Sequence, residues 1–135
     1  MASGYSGTPL ATKLGLKAGQ RCWFRDMPDS VRAEIDPEAI GVDEQLAPSA
    51  GLEAAHIFVT RAADLARDVA LLRGLLAPAG FLWVSWPKKA AKTDTDITED
   101  VVRAVALPIG LVDIKVCAVD ATWSGLKLVI RKELR

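Results

Sequence analysis

Apolar residues along this chain fall into short solid runs and into runs spaced by three or four, and the two spacings take turns. The densest run, Phe81-Leu82-Trp83-Val84-Ser85-Trp86, follows the turn residues Pro78-Ala79-Gly80 and stops at Pro87 and two lysines. Such a run predicts a strand buried on both faces, as in the centre of a parallel sheet. Ahead of it, Leu65, Val69, Leu72 and Leu76 recur at intervals of four, three and four and mark one face of a helix. Thr60 is placed to cap that helix, and Pro78 with Gly80 to end it. Ala55 to Thr60 (AHIFVT) predicts the strand that precedes it.

The flanks repeat the same alternation. Thr8-Pro9 reads as a cap followed by proline at the first helical position; Leu10 and Leu14 share a face, and Gly15 supplies a stop. This predicts a helix of about two turns, too short to persist without packing. Arg21 to Arg25 (RCWFR) predicts a first strand, Asp26-Met27-Pro28-Asp29 leave it, and Ser30 to Ile35 form a helical turn. Ile40 to Val42 reads as a weak second strand and residues 43–54 as a loop. Lys88 to Asp94 is a polar loop. Asp96 with Glu99 makes a capping-box pattern in acidic form, ahead of a helix with Ile97, Val101, Val102 and Val105 on its inner face. Pro108 and Gly110 close that helix. Val112 to Val119 and Leu126 to Arg131 finish the chain as strands, joined by a link short enough for an antiparallel pair. The expected fold class is α/β. It is a Rossmann-like three-layer sandwich, a mostly parallel sheet of about five or six strands with an antiparallel C-terminal strand. One domain over residues 1–135 is expected.

Composition narrows the function classes. Half of the residues are hydrophobic, enough for a core and too many for a disordered chain. Lys plus Arg number 17 and Asp plus Glu 17, so the basic excess of a nucleic-acid-binding domain is missing and no nucleic acid is expected. Cys22 and Cys117 are too few for a disulfide framework or a four-ligand zinc site, and each lies in an apolar run that predicts a buried thiol. No metal is expected. No apolar run approaches a transmembrane span, and MASGYSGTPL has no charged leader followed by a hydrophobic stretch. A cytoplasmic protein with no membrane partner is the expectation.

The words GYSGTPL (4–10), KLGL (13–16), WVSWPKK (83–89), TDTDITEDVVR (93–103), KVCAVD (115–120) and TWSGLK (122–127) resemble those of a bacterial family of short proteins, known only as a domain of unknown function. That resemblance spans nearly the whole chain and implies neither an activity nor a catalytic residue. More distantly, the element order is similar to the class I methyltransferase fold, a Rossmann-like sheet ending in an antiparallel strand. This implies a turn such as Ala77-Pro78-Ala79-Gly80 before the strand that precedes the last helix. It also implies a last strand inserted between that strand and its predecessor. The implied cofactor is S-adenosylmethionine, approached by a glycine-rich loop after the first strand. Here that loop is Asp26-Met27-Pro28-Asp29, with no glycine until Gly41. Without glycine, close approach and positive φ angles become expensive, so the usual cofactor pose is disfavoured.

In open parallel sheets, ligands gather beyond the carboxyl ends of the strands. That rule selects Asp26 and Asp29, then Thr60 and Arg61, then Trp86, Lys88 and Lys89, and finally Thr122, Trp123 and Ser124 in the last link. If the final strand pairs with Phe81–Trp86, two tryptophans, a serine and two lysines share one corner, suited to a small anionic ligand with a flat or apolar body. Plainer readings stand beside each. Lys88 and Lys89 fit solvated loop charges, Trp86 and Trp123 fit cover for the core edge, and Asp94 and Asp96 fit loop and cap roles rather than acid–base or metal chemistry. His56, the only histidine, reads as the start of its strand, pointing from the opposite rim in a structural role. There is no G-x-S-x-G elbow and no P-loop, and no catalytic residue is assigned. Ser3 to Pro9, rich in glycine and serine, reads as a terminus folded onto the sheet edge, or alternatively as a small phosphate site beside Thr8.

Three functions follow. A non-catalytic ligand-binding or regulatory module leads, because no poised acid, base or nucleophile stands out. A methyltransferase-like enzyme with an atypical cofactor loop is the alternative. The third is an interaction module that docks a protein partner through its tryptophan-bearing edge.

Overall fold

The computed structural model describes residues 8–135, so the reading of Ser3 to Pro9 lies, up to Gly7, outside the described residues. The elements run α1 (Leu10–Lys13), β1 (Arg21–Arg25), α2 (Asp29–Ile35), α3 (Pro37–Ile40), β2 (Asp43–Glu44), β3 (Leu52–Phe58), α4 (Ala62–Arg73), β4 (Leu76–Pro87), α5 (Glu99–Ala106), β5 (Leu111–Ala118) and β6 (Trp123–Ile130). One sheet takes all six strands of the described residues in the order β2-β1-β3-β4-β6-β5. The first four are parallel, and β6 runs antiparallel to both β4 and β5. Ala55 pairs with Leu82 and Ile57 with Val84, in the parallel sense that the solid apolar runs demand.

Strand alternation splits the apolar residues into two layers. Trp23, Ala55, Ile57, Leu82, Val84, Trp86, Leu126 and Leu128 pack on one face beneath Leu65, Val69 and Leu72 of α4 and Val102 of α5. Cys22, Phe24, Phe58, Phe81 and Trp83 pack on the other beneath Leu10 and Leu14 near α1 and Val31 and Ile35 of α2. The short α1 persists because Leu14 is fully buried and its carbonyl accepts the Trp83 indole N–H at 2.9 Å. No helix among the described residues is long and apolar enough to cross a membrane.

Several boundaries differ from the sequence reading, each for a local reason. α1 spans four residues, one turn rather than two, with Pro9 at the cap position. Ile40 to Val42 is not a strand: Pro37–Ile40 is helical, Asp36 caps it by accepting the Ala39 N–H, and Gly41 ends it at φ +86°. The strand edge falls on Asp43–Glu44 instead, and β3 already begins at Leu52. α4 stops at Arg73, and Pro78 and Gly80 lie within β4 rather than in a turn. β6 lies between β4 and β5, so it inserts between the Phe81–Trp86 strand and its successor, not its predecessor. The caps are exchanged as well. Thr98 caps α5 by accepting the Val101 N–H, while Asp96 accepts the Ala62 N–H at 2.7 Å and so caps α4. Thr60 makes no side-chain cap there; its carbonyl receives the Thr95 hydroxyl at 2.7 Å.

Candidate functional site

From β1 the chain crosses to β2 on one side and then returns to lay β3 on the other, so the connections diverge between β1 and β3. Such a divergence leaves a crevice at the carboxyl ends of the two strands. The crevice here has a volume of about 270 Å³ and is lined by Arg25, Asp26, Phe58, Val59, Thr60, Asp64, Arg67, Asp68 and Trp123. Asp26, the first residue past β1, adopts φ +54°. Aspartate is among the few non-glycine residues that visit this region readily, so the turn out of β1 is made without glycine.

The floor carries paired charge. Asp68 is 1 % exposed, with Arg25 Nε 3.0 Å and Arg67 Nε 3.6 Å from its carboxylate. Neither Asp68 oxygen nor Arg25 Nε has a hydrogen-bonded partner, so charge rather than bond geometry holds the group. The Arg25 guanidinium also lies 4.9 Å from the Trp23 ring. Arg67 reaches Asp64 at 3.3 Å on the outer wall. On the opposite wall Phe58 meets Trp123 edge to face, with centroids 5.2 Å apart.

The sequence-selected residues divide into separate groups. Asp26, Thr60 and Trp123 line the crevice. Trp86 pairs with Ser124 and Pro87 with Trp123, and the Lys88 N–H donates to the Thr122 carbonyl at 2.8 Å, so these residues do meet at one rim. The two tryptophans nevertheless do not share a corner. They sit at neighbouring positions of opposite parity: Trp86, 7 % exposed, belongs to the layer beneath α4 and α5, and Trp123 to the opposite one. Arg61 is drawn away to Asp94 at 2.5 Å, and Lys89 is exposed at the start of a 3-10 turn. Asp29 begins α2. The interaction reading is altered too, because the lateral edges of the sheet are β2 and β5, whereas Trp123 opens the interior strand β6.

His56 does not point from the opposite rim. It lies within β3, 2 % exposed, sharing a 2.7 Å hydrogen bond with Ser85 Oγ and stacked on Phe58 at 4.3 Å. Burial lowers its pKa to about 3, so it is neutral at ordinary pH. Both cysteines are buried free thiols; burial, followed by Glu44 and Asp43, pushes Cys22 up to about 12, which suppresses the thiolate. No group of three or more potential metal ligands occurs among the described residues.

Arg25, Asp64, Arg67 and Asp68 escaped the sequence reading. A signal for Asp68 was present: it stands three residues after Leu65 and four before Leu72, on the apolar stripe of α4. A carboxylate inside a buried stripe needs a cation, and the end of β1 supplies Arg25.

No family model matches the chain, and no curated protein matches it, so the words shared with short bacterial proteins of unknown function gain no support from these comparisons. Solved structures do match. A SAM-dependent methyltransferase from Aquifex aeolicus superposes with a TM-score of 0.59 at 12 % identity, over 90 % of this chain and 87 % of that one. The ribosomal protein L11 methylase from Lactobacillus delbrueckii subsp. bulgaricus gives 0.56 at 9 % identity, over 90 % and 75 %. Aeropyrum pernix fibrillarin, in complex with natively bound S-adenosyl-L-methionine, gives 0.55 at 12 %, over 89 % and 73 %. With its mixed sheet and antiparallel last strand, the chain carries the fold of the class I methyltransferases in a short, six-stranded form.

Proposed function

We propose that the crevice between the ends of β1 and β3 binds S-adenosylmethionine, and that the chain acts as a methyltransferase-like enzyme with an atypical cofactor loop. The observation that carries this reading is the position and charge of the crevice. It lies where the sheet connections diverge, and it offers both signs: Arg25 and Arg67 for a carboxylate, Asp26 and Asp64 for an ammonium or sulfonium. The exposed part of Trp123 supplies an aromatic face, which attracts a cationic sulfur and stacks on a flat base. Positive φ at Asp26 performs the turn for which a glycine would otherwise serve. Methyl transfer breaks the S–CH₃ bond with its electron pair going to sulfur while the acceptor bonds to carbon. A poised general base is therefore not obligatory, and its lack in the crevice does not oppose the reading. Lys88 and Lys89, on the rim beside Trp123, would receive an anionic acceptor.

A non-catalytic ligand-binding module is the second reading. The specific observation in its favour is the Arg25–Asp68 ion pair on the floor of a crevice of only about 270 Å³, which limits how deeply a ligand can enter. Calorimetric titration with S-adenosylmethionine and S-adenosylhomocysteine separates these outcomes. Saturable binding that Trp123→Ala weakens by about tenfold, 1.4 kcal/mol, supports the cofactor site. No heat at millimolar ligand would remove it. Binding without methyl transfer to any acceptor would favour the second reading.

A further inference from the structure

Charge is sorted by residue type on this molecule. Every ion pair between described residues uses an arginine, and Lys17, Lys115 and Lys127 take part in none. These lysines gather on the α1 side of the sheet. Lys115 and Lys127 are direct cross-strand partners between β5 and β6, an arrangement that weakens a sheet when both are charged. The Lys115 ammonium reaches a backbone carbonyl, that of Lys13 at 3.1 Å, rather than a carboxylate. Lys127 is half-buried, with Nζ 4.3 Å from the Phe81 ring centroid. Burial first, then the charges of Lys115 and Lys17, hold its ammonium below the ordinary lysine range.

A cavity of about 300 Å³ opens beside Lys127, at the amino ends of β1, β3 and β4 and thus opposite the crevice. Lys17, Gln20, Phe81 and Lys127 line it, together with the backbone at Gly15 and Gly80. Gly15 adopts φ +78°, and a Cβ there would stand 3.4 Å from the Phe81 ring and 3.5 Å from Lys127 Nζ, so its lack of a side chain keeps this corner open. The single carboxylate in the lining, Glu53, accepts the Arg21 N–H at 2.9 Å and is tied to the start of β1 rather than to either lysine.

We propose that this cavity binds a phosphate dianion, free or as the monoester of a small organic molecule. Lys17 and Lys127 neutralise the anion, Lys115 adds to the field from the adjacent strand, and the Phe81 ring walls the organic part. A doubly charged group fits the arrangement because more than one ammonium lacks an acid and two of them repel each other across the sheet.

The test is calorimetric titration with phenyl phosphate and with inorganic phosphate at constant ionic strength. The proteins are the native chain, Lys17→Met, Lys127→Met and, as a control beyond the far rim, Lys92→Met, an exposed lysine outside both sites. Saturable binding that each of the first two replacements weakens by about tenfold or more, with Lys92→Met unchanged, is the expected result. Tighter binding of phenyl phosphate identifies a monoester; tighter binding of inorganic phosphate identifies the free ion. Lys17 is exposed, so Lys17→Met carries the test even if the Lys127 variant fails to fold. No saturable heat from either compound, or an equal loss in Lys92→Met, overturns the proposal.

Discussion

His56 and Ser85 bury a polar pair between neighbouring central strands, and their 2.7 Å hydrogen bond links the only histidine to the density of the core rather than to chemistry. Because the folded pKa is about 3 and the unfolded value about 6.5, the unfolded chain takes up a proton that the native chain refuses between those limits. The neutral histidine therefore supports the fold fully above about pH 6.5, and this support falls by about 1.4 kcal/mol for each pH unit below it. Urea unfolding at pH 7 and pH 5 should show the native chain losing about 2 kcal/mol more than His56→Gln, whose side chain does not titrate. Equal losses would mean that His56 is hydrated or protonated in the fold. The residue's burial was not legible from the sequence, because Ala55 reads as a strand start only while the apolar Leu52 is left in the loop. Asp68 went unread although it stands on the apolar stripe of α4; Arg25 from the end of β1 and Arg67 from its own helix make its burial tolerable.

At the scale of elements, the solid runs and the spaced runs were legible because burial on one or two faces imposes its own period. Arg21–Arg25 coincides with β1, and the helices at 62–73 and 99–106 stand where Leu65, Val69, Leu72 and Val102 placed them. Element ends were less legible, because long-range partners decide them. Asp96 sits in the right place to cap its own helix but spends its carboxylate on the Ala62 N–H, thirty-four residues away, leaving Thr98 to cap α5. Gly80 looked like a turn residue and is instead a strand residue at a close backbone approach. A Cβ there would lie 2.5 Å from the Leu52 carbonyl and 3.0 Å from that of Ala77, beside the register shift between Leu52 and Ala54. Gly80→Ala should therefore lower stability by about 2 kcal/mol or more in thermal unfolding, although alanine is ordinarily the better-tolerated residue. An unchanged melting temperature would place the β3–β4 register elsewhere.

For the whole molecule, the sheet order creates two opposed ends of different character. The carboxyl ends of the strands hold the crevice, where arginines and aspartates compensate each other around Asp26 and Trp123. The amino ends hold the lysine-lined cavity, which a formal net charge of zero gave no reason to expect. The rim rule located the first end from sequence, including Asp26, Thr60 and Trp123, because it depends only on strand direction. Trp86 and Arg61, selected by the same rule, lie apart from the crevice, since face parity and the Asp94 loop are not written in strand order. If the crevice is a cofactor site, titration of the ¹⁵N-labelled chain with S-adenosylmethionine moves the amide resonances of Asp26, Thr60, Asp64 and Trp123 saturably and leaves those of Lys17, Phe81 and Lys127 in place. Shifts confined to the lysine end, or none at saturating ligand, would rule the site out.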